Sequence, residues 1–414
     1  MPAVHRNSYP FYAFRLWNGM TTSVLLRLFA RNRFAVSPSR VPLALLALIY
    51  ALNNSVMKAI QAVIFAKRID AVILERPPIF IIGHWRTGTT HLHELLALDE
   101  DFVAPSTLEC VVPAQFLAFG WLIRLFAFLL PTNRPMDNML VGWNLPQEDE
   151  IALLALGLGS PYEAMIFPNH RVVGHPFLNM TETTPEQVEA WRTGLSSFLK
   201  RVSFFADRRA KCTGKTRQLI LKSPTHTARL HLLRQMFPGA KFIHVVRHPC
   251  DVYSSTVRLW RALYDTQGCQ KPDYGALPNG APAIEQYVFD TMDLMYRDFF
   301  TQLSEIPGEN FCQVRYEDLV RSPVAEIGRI YRQLDLQSFE RIRPCLEARL
   351  SEGAAYKAHH HLISDGDREE VCRRWGWYLD KFGYRGDPSA VQPVSVVREL
   401  ETRSDDGRQP FGLR

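Results

Sequence analysis

Short, continuous apolar runs alternate along this chain with stretches of helical spacing. Ile79-Phe80-Ile81-Ile82 ends in Gly83, and the residues from Gly88 to Leu98 follow with apolar positions at Leu92, Leu95 and Leu96. A run of this length with no polar alternation is the pattern of a strand buried on both faces. Three more runs, Leu219 to Leu221, Phe242 to Val246 and Phe311 to Val314, lead into Lys222, Arg247 and Arg315. Helical spacing separates them over 227–237, 251–264 and 284–303, and Ser322-Pro323 opens a further helix with proline in its first turn. The alternation predicts an α/β fold with a parallel sheet covered on both faces. Ligands of such sheets gather beyond the carboxyl ends of the strands, where each run here meets a charged or glycine-containing element.

The pattern also divides the chain. Residues 1–76 read as a helical, arginine-rich N-terminal segment, closed by Pro77-Pro78. The α/β domain is expected to cover 77–387. Within it, about 104–210 is a mostly helical insertion that roofs the crevice, and 388–414 is a polar tail. Two apolar stretches stand out. Val41 to Leu52, twelve residues long, falls short of the roughly 20 needed to span a bilayer, and Phe116 to Leu130 is interrupted by Arg124. Both read first as core helices. The alternative is peripheral membrane contact, helped by Arg27, Arg31, Arg33 and Arg40.

Charge and cysteine usage narrow the partners. Lys and Arg number 48 against 42 Asp and Glu, a net charge of +6. That excess suits an anionic small ligand or an acidic membrane surface, and is too small and dispersed to argue for nucleic acid. The seven cysteines are odd in number and scattered, with no CxxC pair. They imply a reducing compartment, so the expected location is cytoplasmic, with the inner face of a membrane as the variant.

The strongest local signal is Gly83-His84-Trp85-Arg86-Thr87-Gly88-Thr89-Thr90, a loop between strand and helix. Backbone N–H groups in such a loop converge on an anion, aided by the helix N-terminus. Thr89 and Thr90 add hydroxyls, and Arg86 adds a forked cation. Thr89 stands where a magnesium-nucleotide P-loop carries lysine. The second signal is Arg247 at a strand end with Ser254 and Ser255 on the next helix, a pair suited to gripping a phosphate.

Together these blocks resemble the sulfotransferase superfamily over about residues 77–384. The resemblance implies a P-loop-like parallel β-sheet flanked by helices, with a mostly helical insertion over the active site. It implies 3′-phosphoadenosine-5′-phosphosulfate (PAPS) as sulfuryl donor, with Gly83, Arg86, Thr87, Gly88, Thr89 and Thr90 at the 5′-phosphosulfate end. Arg247 and, eight residues on, Ser255 match the family's 3′-phosphate segment. Leu221-Lys222-Ser223-Pro224 resembles the Lys-(Asp/Ser)-Pro element of the tyrosylprotein-type and bacterial branches. Val314 to Leu319 is similar to the strand whose tyrosine, here Tyr316, lies near the adenine, and Tyr356-Lys357 resembles a late element that closes over the donor. Pro146-Gln147-Glu148-Asp149-Glu150, with Gly83-His84-Trp85-Arg86, looks like a bacterial and fungal subgroup.

Two departures shape the chemistry expected. The loop lysine of the cytosolic steroid and phenol enzymes is Arg86 here, and the position of their catalytic histidine is Pro224. A base must come from elsewhere. In the tyrosylprotein branch a glutamate after the first helix serves, and Glu109 holds the comparable place; His84, His226, Glu148 and Glu150 remain open. Arg86 and Lys222 are the cations expected at the bridging and sulfuryl oxygens. His84, Glu148 and Glu150 are the candidate acceptor contacts. No metal is expected, and His359-His360-His361 reads as a solvated loop. The acceptor is a small molecule, carbohydrate or lipid; Trp121 and the phenylalanines between Phe116 and Phe128 hint at a hydrophobic alcohol or glycolipid. The competing readings are a P-loop-type phosphoryl-transfer enzyme and a non-catalytic, membrane-associated nucleotide binder.

Overall fold

The computed structural model describes residues 9–126, 128, 142–170, 175–209, 217–274, 284–336, 339–352 and 363–386. Five parallel strands, β1 (Ile79–Ile82), β2 (Phe102–Val103), β3 (Gln218–Lys222), β4 (Lys241–Val246) and β5 (Phe311–Arg315), form one sheet in the order β2-β3-β1-β4-β5. The four apolar runs read from sequence are β1, β3, β4 and β5. β2, only two residues long, carried no pattern to read.

The helices are α1 (Thr22–Arg31), α2 (Val41–Asp70), α3 (Thr89–Leu96), α4 (Thr107–Val111), α5 (Phe116–Arg124), α6 (Asp149–Leu156), α7 (Pro185–Arg209), α8 (Leu230–Met236), α9 (Pro249–Gln267) and α10 (Ile284–Leu303). After β5 come α11 (Tyr316–Arg321), α12 (Pro323–Gln333), α13 (Phe339–Glu352), α14 (Asp365–Arg374) and α15 (Gly376–Lys381). Pro323 sits in the first turn of α12, where its missing N–H costs nothing.

Burial explains why the central strands are apolar throughout. All four residues of β1 are buried, because β1 pairs with β3 on one side and β4 on the other while helices cover both faces. Ile81, Ile220, Ile243 and Val314 of the sheet pack with Leu92 and Leu96 of α3 and with Ile327, Tyr331 and Leu346 of the C-terminal helices. At the edge, β5 alternates between buried and exposed positions.

Two compact units are distinguished: one of Met1–Arg247 with Asp251–Leu362, the other of His248–Cys250 with Ile363–Arg414. The first holds the sheet and the segment before it. There Trp17 is fully buried, and its indole N–H donates to the Gln267 carbonyl at 2.9 Å. In the second, Tyr378 and Tyr384 stack with ring centroids 6.2 Å apart, and His248 meets Tyr384 edge-on.

The apolar stretch at 41–52 is the start of something longer than its sequence suggested. α2 runs for 30 residues, and Pro38–Asp70 is long and apolar enough to cross a membrane by length and composition. Asn53, Asn54 and Ser55 interrupt the run in sequence but not the helix.

Candidate active site

The sheet order places the site. From β1 the chain crosses to β2 and β3 on one side and then to β4 on the other, so the crevice opens at the carboxyl end of β1, the switch point of the sheet. Three neighbouring strands contribute their last residues there: the loop after β1, Lys222 ending β3, and Arg247 following β4.

The loop needs its glycines. Gly83 has φ +142°, and a Cβ there would come within 2.5 Å of the Val245 carbonyl oxygen. Gly88 has φ +98°, and a Cβ would fall 2.1 Å from the Tyr316 ring. Arg86 itself adopts φ +70°, an uncommon conformation for a residue with a side chain. The start of the loop is pinned: Gly83 N–H donates to Thr227 Oγ1 at 2.8 Å, and that hydroxyl donates back to the Gly83 carbonyl at 3.1 Å. Thr87 is buried and its hydroxyl donates to the His84 carbonyl at 2.8 Å, so it shapes the loop from within. Thr89 and Thr90 open α3. His84 is fully buried beside the Trp85 carbonyl, and burial pushes its pKa down to about 4, leaving a neutral ring.

The two phosphate signals meet. Arg86 Nε donates to Ser255 Oγ at 2.8 Å, and Arg247 Nη1 reaches the Arg86 carbonyl at 3.4 Å. The Arg247 guanidinium lies 4.6 Å from the centroid of the Tyr316 ring, which is the ring that packs on Gly88. Asp251, in the first turn of α9, stands 3.4 Å from Arg247. Arg258, one turn beyond Ser255, has its pKa lowered by burial and by the nearby positive charge of Arg86. This third arginine had no motif to announce it. Tyr356 and Lys357 lie outside the described residues, as does the histidine run at 359–361.

On the other side of the crevice, three successive carboxylates of the 146–150 block grip the segment that begins at Lys222. Lys222 Nζ, 1% exposed, donates to Glu148 Oε1 at 2.6 Å. Asp149 accepts from Ser223 at 2.8 Å and pairs with His226 at 2.6 Å, all three buried. Burial pushes the Asp149 carboxyl up, but the His226 charge and the hydrogen bonds from His226 and Ser223 outweigh it and hold the pKa below its usual value. Glu150 accepts from Thr225 at 2.7 Å and from Arg229 at 2.6 and 3.3 Å, with both charged partners fully buried. Among the candidate acceptor contacts, His84 and Glu150 are enclosed, while Glu148 retains partial exposure.

Glu148 links the two sides. Its second oxygen accepts a hydrogen bond from the Tyr162 hydroxyl, and that hydroxyl accepts from Trp85 Nε1 of the loop at 2.8 Å. Burial, and then the Glu148 charge, push the Tyr162 pKa well up, so the phenol keeps its proton. Sequence reading passed over Tyr162, which lies in a short 3-10 helix, Pro161–Met165.

Glu109 occupies a different setting. Ser106 N–H donates to Glu109 Oε2 at 2.6 Å, while Glu109 N–H donates to Ser106 Oγ at 3.4 Å. This reciprocal pair is a capping box at the start of α4. The pattern Ser-x-x-Glu is legible in Ser106-Thr107-Leu108-Glu109.

Comparison with known proteins shows the family and the fold. The model of the family described as "Sulfotransferase family" matches residues 77–125 and 164–341. The omega-hydroxy-beta-dihydromenaquinone-9 sulfotransferases Stf3 of Mycobacterium bovis and Mycobacterium tuberculosis are each 36% identical over 390 residues, covering 92% of this chain and 95% of the relative. Among solved structures, sulfotransferase STF9 from Mycobacterium avium aligns over 88% of this chain and 96% of its own, with TM-score 0.61 and 16% identity. STF1 from Mycobacterium tuberculosis aligns over 79% and 85%, with TM-score 0.58 and 17% identity. These two likenesses concern the fold.

Proposed function

Because the chain belongs to the sulfotransferase family, we propose that it moves the sulfuryl group of PAPS to the hydroxyl of an apolar lipid alcohol and releases 3′,5′-ADP. The observation that supports the donor is the meeting of the loop with the segment after β4. The Arg86 to Ser255 hydrogen bond of 2.8 Å brings together the two places that must hold the two ends of a doubly phosphorylated nucleotide. The acceptor class is supported by the relatives named for a hydroxylated menaquinone, which match nearly the whole chain.

In this reading the loop N–H groups and Arg86 bind the 5′-phosphosulfate, Arg247 and Ser255 bind the 3′-phosphate, and Tyr316 flanks the base. The acceptor oxygen forms a bond to sulfur as the bond from sulfur to the bridging oxygen breaks. Lys222, at the end of β3, neutralises charge gathering on the bridging and sulfuryl oxygens. The acceptor proton passes to Glu148, the partly exposed carboxylate 2.6 Å from the Lys222 ammonium. Glu109, tied into the start of α4, is the weaker choice. Tyr162 and Trp85 orient Glu148.

A titration tests the donor. 3′,5′-ADP raises the melting temperature without magnesium, whereas magnesium-ATP alone raising it would return the chain to P-loop phosphoryl transfer, despite Thr89 at the lysine position. Incubation with radiolabelled PAPS and host lipids tests the acceptor. Label is expected in the organic phase, and label confined to polar carbohydrate would overturn the lipid reading.

A further inference from the structure

α2 has two apolar faces. One packs on the protein through Leu43, Ala47, Ala51 and Phe65. The other presents Leu45, Ile49, Leu52, Val56, Ile60 and Val63, each 42–89% exposed. Spacings of three and four residues put these six on a single stripe about 27 Å long, at 1.5 Å per residue. Between Val41 and Ala66 the helix carries one charge, Lys58, and at 100° per residue it points away from the stripe. Proteins in water rarely leave a continuous apolar strip of this length uncovered.

We propose that this stripe docks on an anionic lipid bilayer, with α2 lying flat at the boundary between headgroups and acyl chains. Three observations select that occupant. First, α2 is fastened to the protein along its length, which opposes a crossing orientation. Asn54 Nδ2 donates to the carbonyls of Asn18 and Met20 at 2.7 and 2.9 Å. Gln61 donates to the Ala114 carbonyl at 2.7 Å and accepts from the N–H groups of Leu117 and Ala118 at 2.8 and 3.1 Å. Standing the helix upright in lipid would strip these amides of their partners.

Second, the stripe is bounded by basic residues, Arg40 at one end and Lys67 with Arg68 at the other, and exposed Arg27 and Arg33 sit beside exposed Leu26 and Phe34. Cations around an apolar strip complement anionic headgroups. Two copies paired along this face would instead set basic ends together. Third, Gln61 seats the N-terminal end of α5, whose far end exposes Trp121, Leu125 and Phe126, the residue types that settle at a membrane interface. α5 packs on α4, and α4 on α6, which begins beside Glu148. The proposal rests on the lipid-acceptor reading only for its purpose, the supply of acceptor from the bilayer; docking itself is measured without turnover.

The test is flotation of the full-length chain with phosphatidylglycerol–phosphatidylcholine vesicles. The wild type is expected to float, less so with pure phosphatidylcholine. Ile49→Glu, Val56→Glu and Val63→Glu together should cut the bound fraction about tenfold or more, with the melting temperature unchanged. In parallel, lipids brominated in the acyl chains should quench tryptophan fluorescence in the wild type and not in Trp121→Phe, a readout that needs no charged variant. A wild type that stays in the soluble fraction overturns the proposal. So does equal flotation of wild type and triple variant, or a triple variant that turns a dimer into a monomer without changing flotation. Flotation that behaves as expected, with no label from PAPS entering host lipids, would count against the acceptor reading alone.

Discussion

The two sides of the crevice handle charge in opposite ways. On the loop side, Arg86 bonds a neutral hydroxyl, Arg247 lies over an aromatic ring with Asp251 at 3.4 Å, and Arg258 feels the charge of Arg86. On the roof side, each of Lys222, His226 and Arg229 has its own carboxylate, from Glu148, Asp149 and Glu150, at 2.6 Å. The first arrangement groups arginines at the end of the sheet, which suits the anionic donor proposed above. The second is internally matched, and it fixes where the lysine stands.

The sharpest way to break this contrast is at the innermost pair. Glu150→Gln would strand the Arg229 guanidinium in a fully buried place. It should cost about 3–5 kcal/mol, read as a lower urea midpoint. A change confined to the acceptor KM would make Glu150 an acceptor contact after all. Next comes Lys222→Ala, expected to lower turnover on the order of 100-fold or more while calorimetry still detects 3′,5′-ADP binding. Glu148→Gln should cost a similar factor of about 100, with nucleotide affinity kept.

Acidification probes the sheet and loop. Burial holds His84 at about 4 and His93 and His244 at about 3, so these rings stay neutral in the fold. Unfolded histidine titrates near 6.5. Stability should therefore be flat above that pH and fall below it, until the folded values are passed. At pH 5 each ring accounts for about 2 kcal/mol, measurable in urea titrations across pH. The smallest effect belongs to Glu109→Gln, which weakens the start of α4 by roughly 1 kcal/mol and leaves the rate nearly intact. A rate loss near that of Glu148→Gln would restore Glu109 as the base.

The loop side was legible because its parts are local. A buried strand shows as an apolar run, its turn shows as glycine, and Arg247 and Ser255 are separated by a fixed step along one short segment. The pairing inside the roof was not legible, because Glu148 and Lys222 stand 74 residues apart in sequence and no periodicity reports such a contact. Tyr162 was hidden for the same reason. Glu109 carries two signals: family position suggests chemistry, and Ser106 three residues earlier spells a helix cap. α2 was undercounted because Asn54 and Gln61 look like interruptions in sequence, although in space they are the groups that moor the helix.

The empty corner at Gly88 has a consequence for how this chain can change over generations. Three residues from distant segments share that corner: the glycine, the Tyr316 ring pressed on it, and the Arg247 guanidinium resting on the ring's face. Adding even one methyl group at 88 would push the aromatic plane, and the arginine would lose its seat with it. Variation there is coupled three ways, so a change at any one member asks for a matching change in the others, and these positions are expected to vary together.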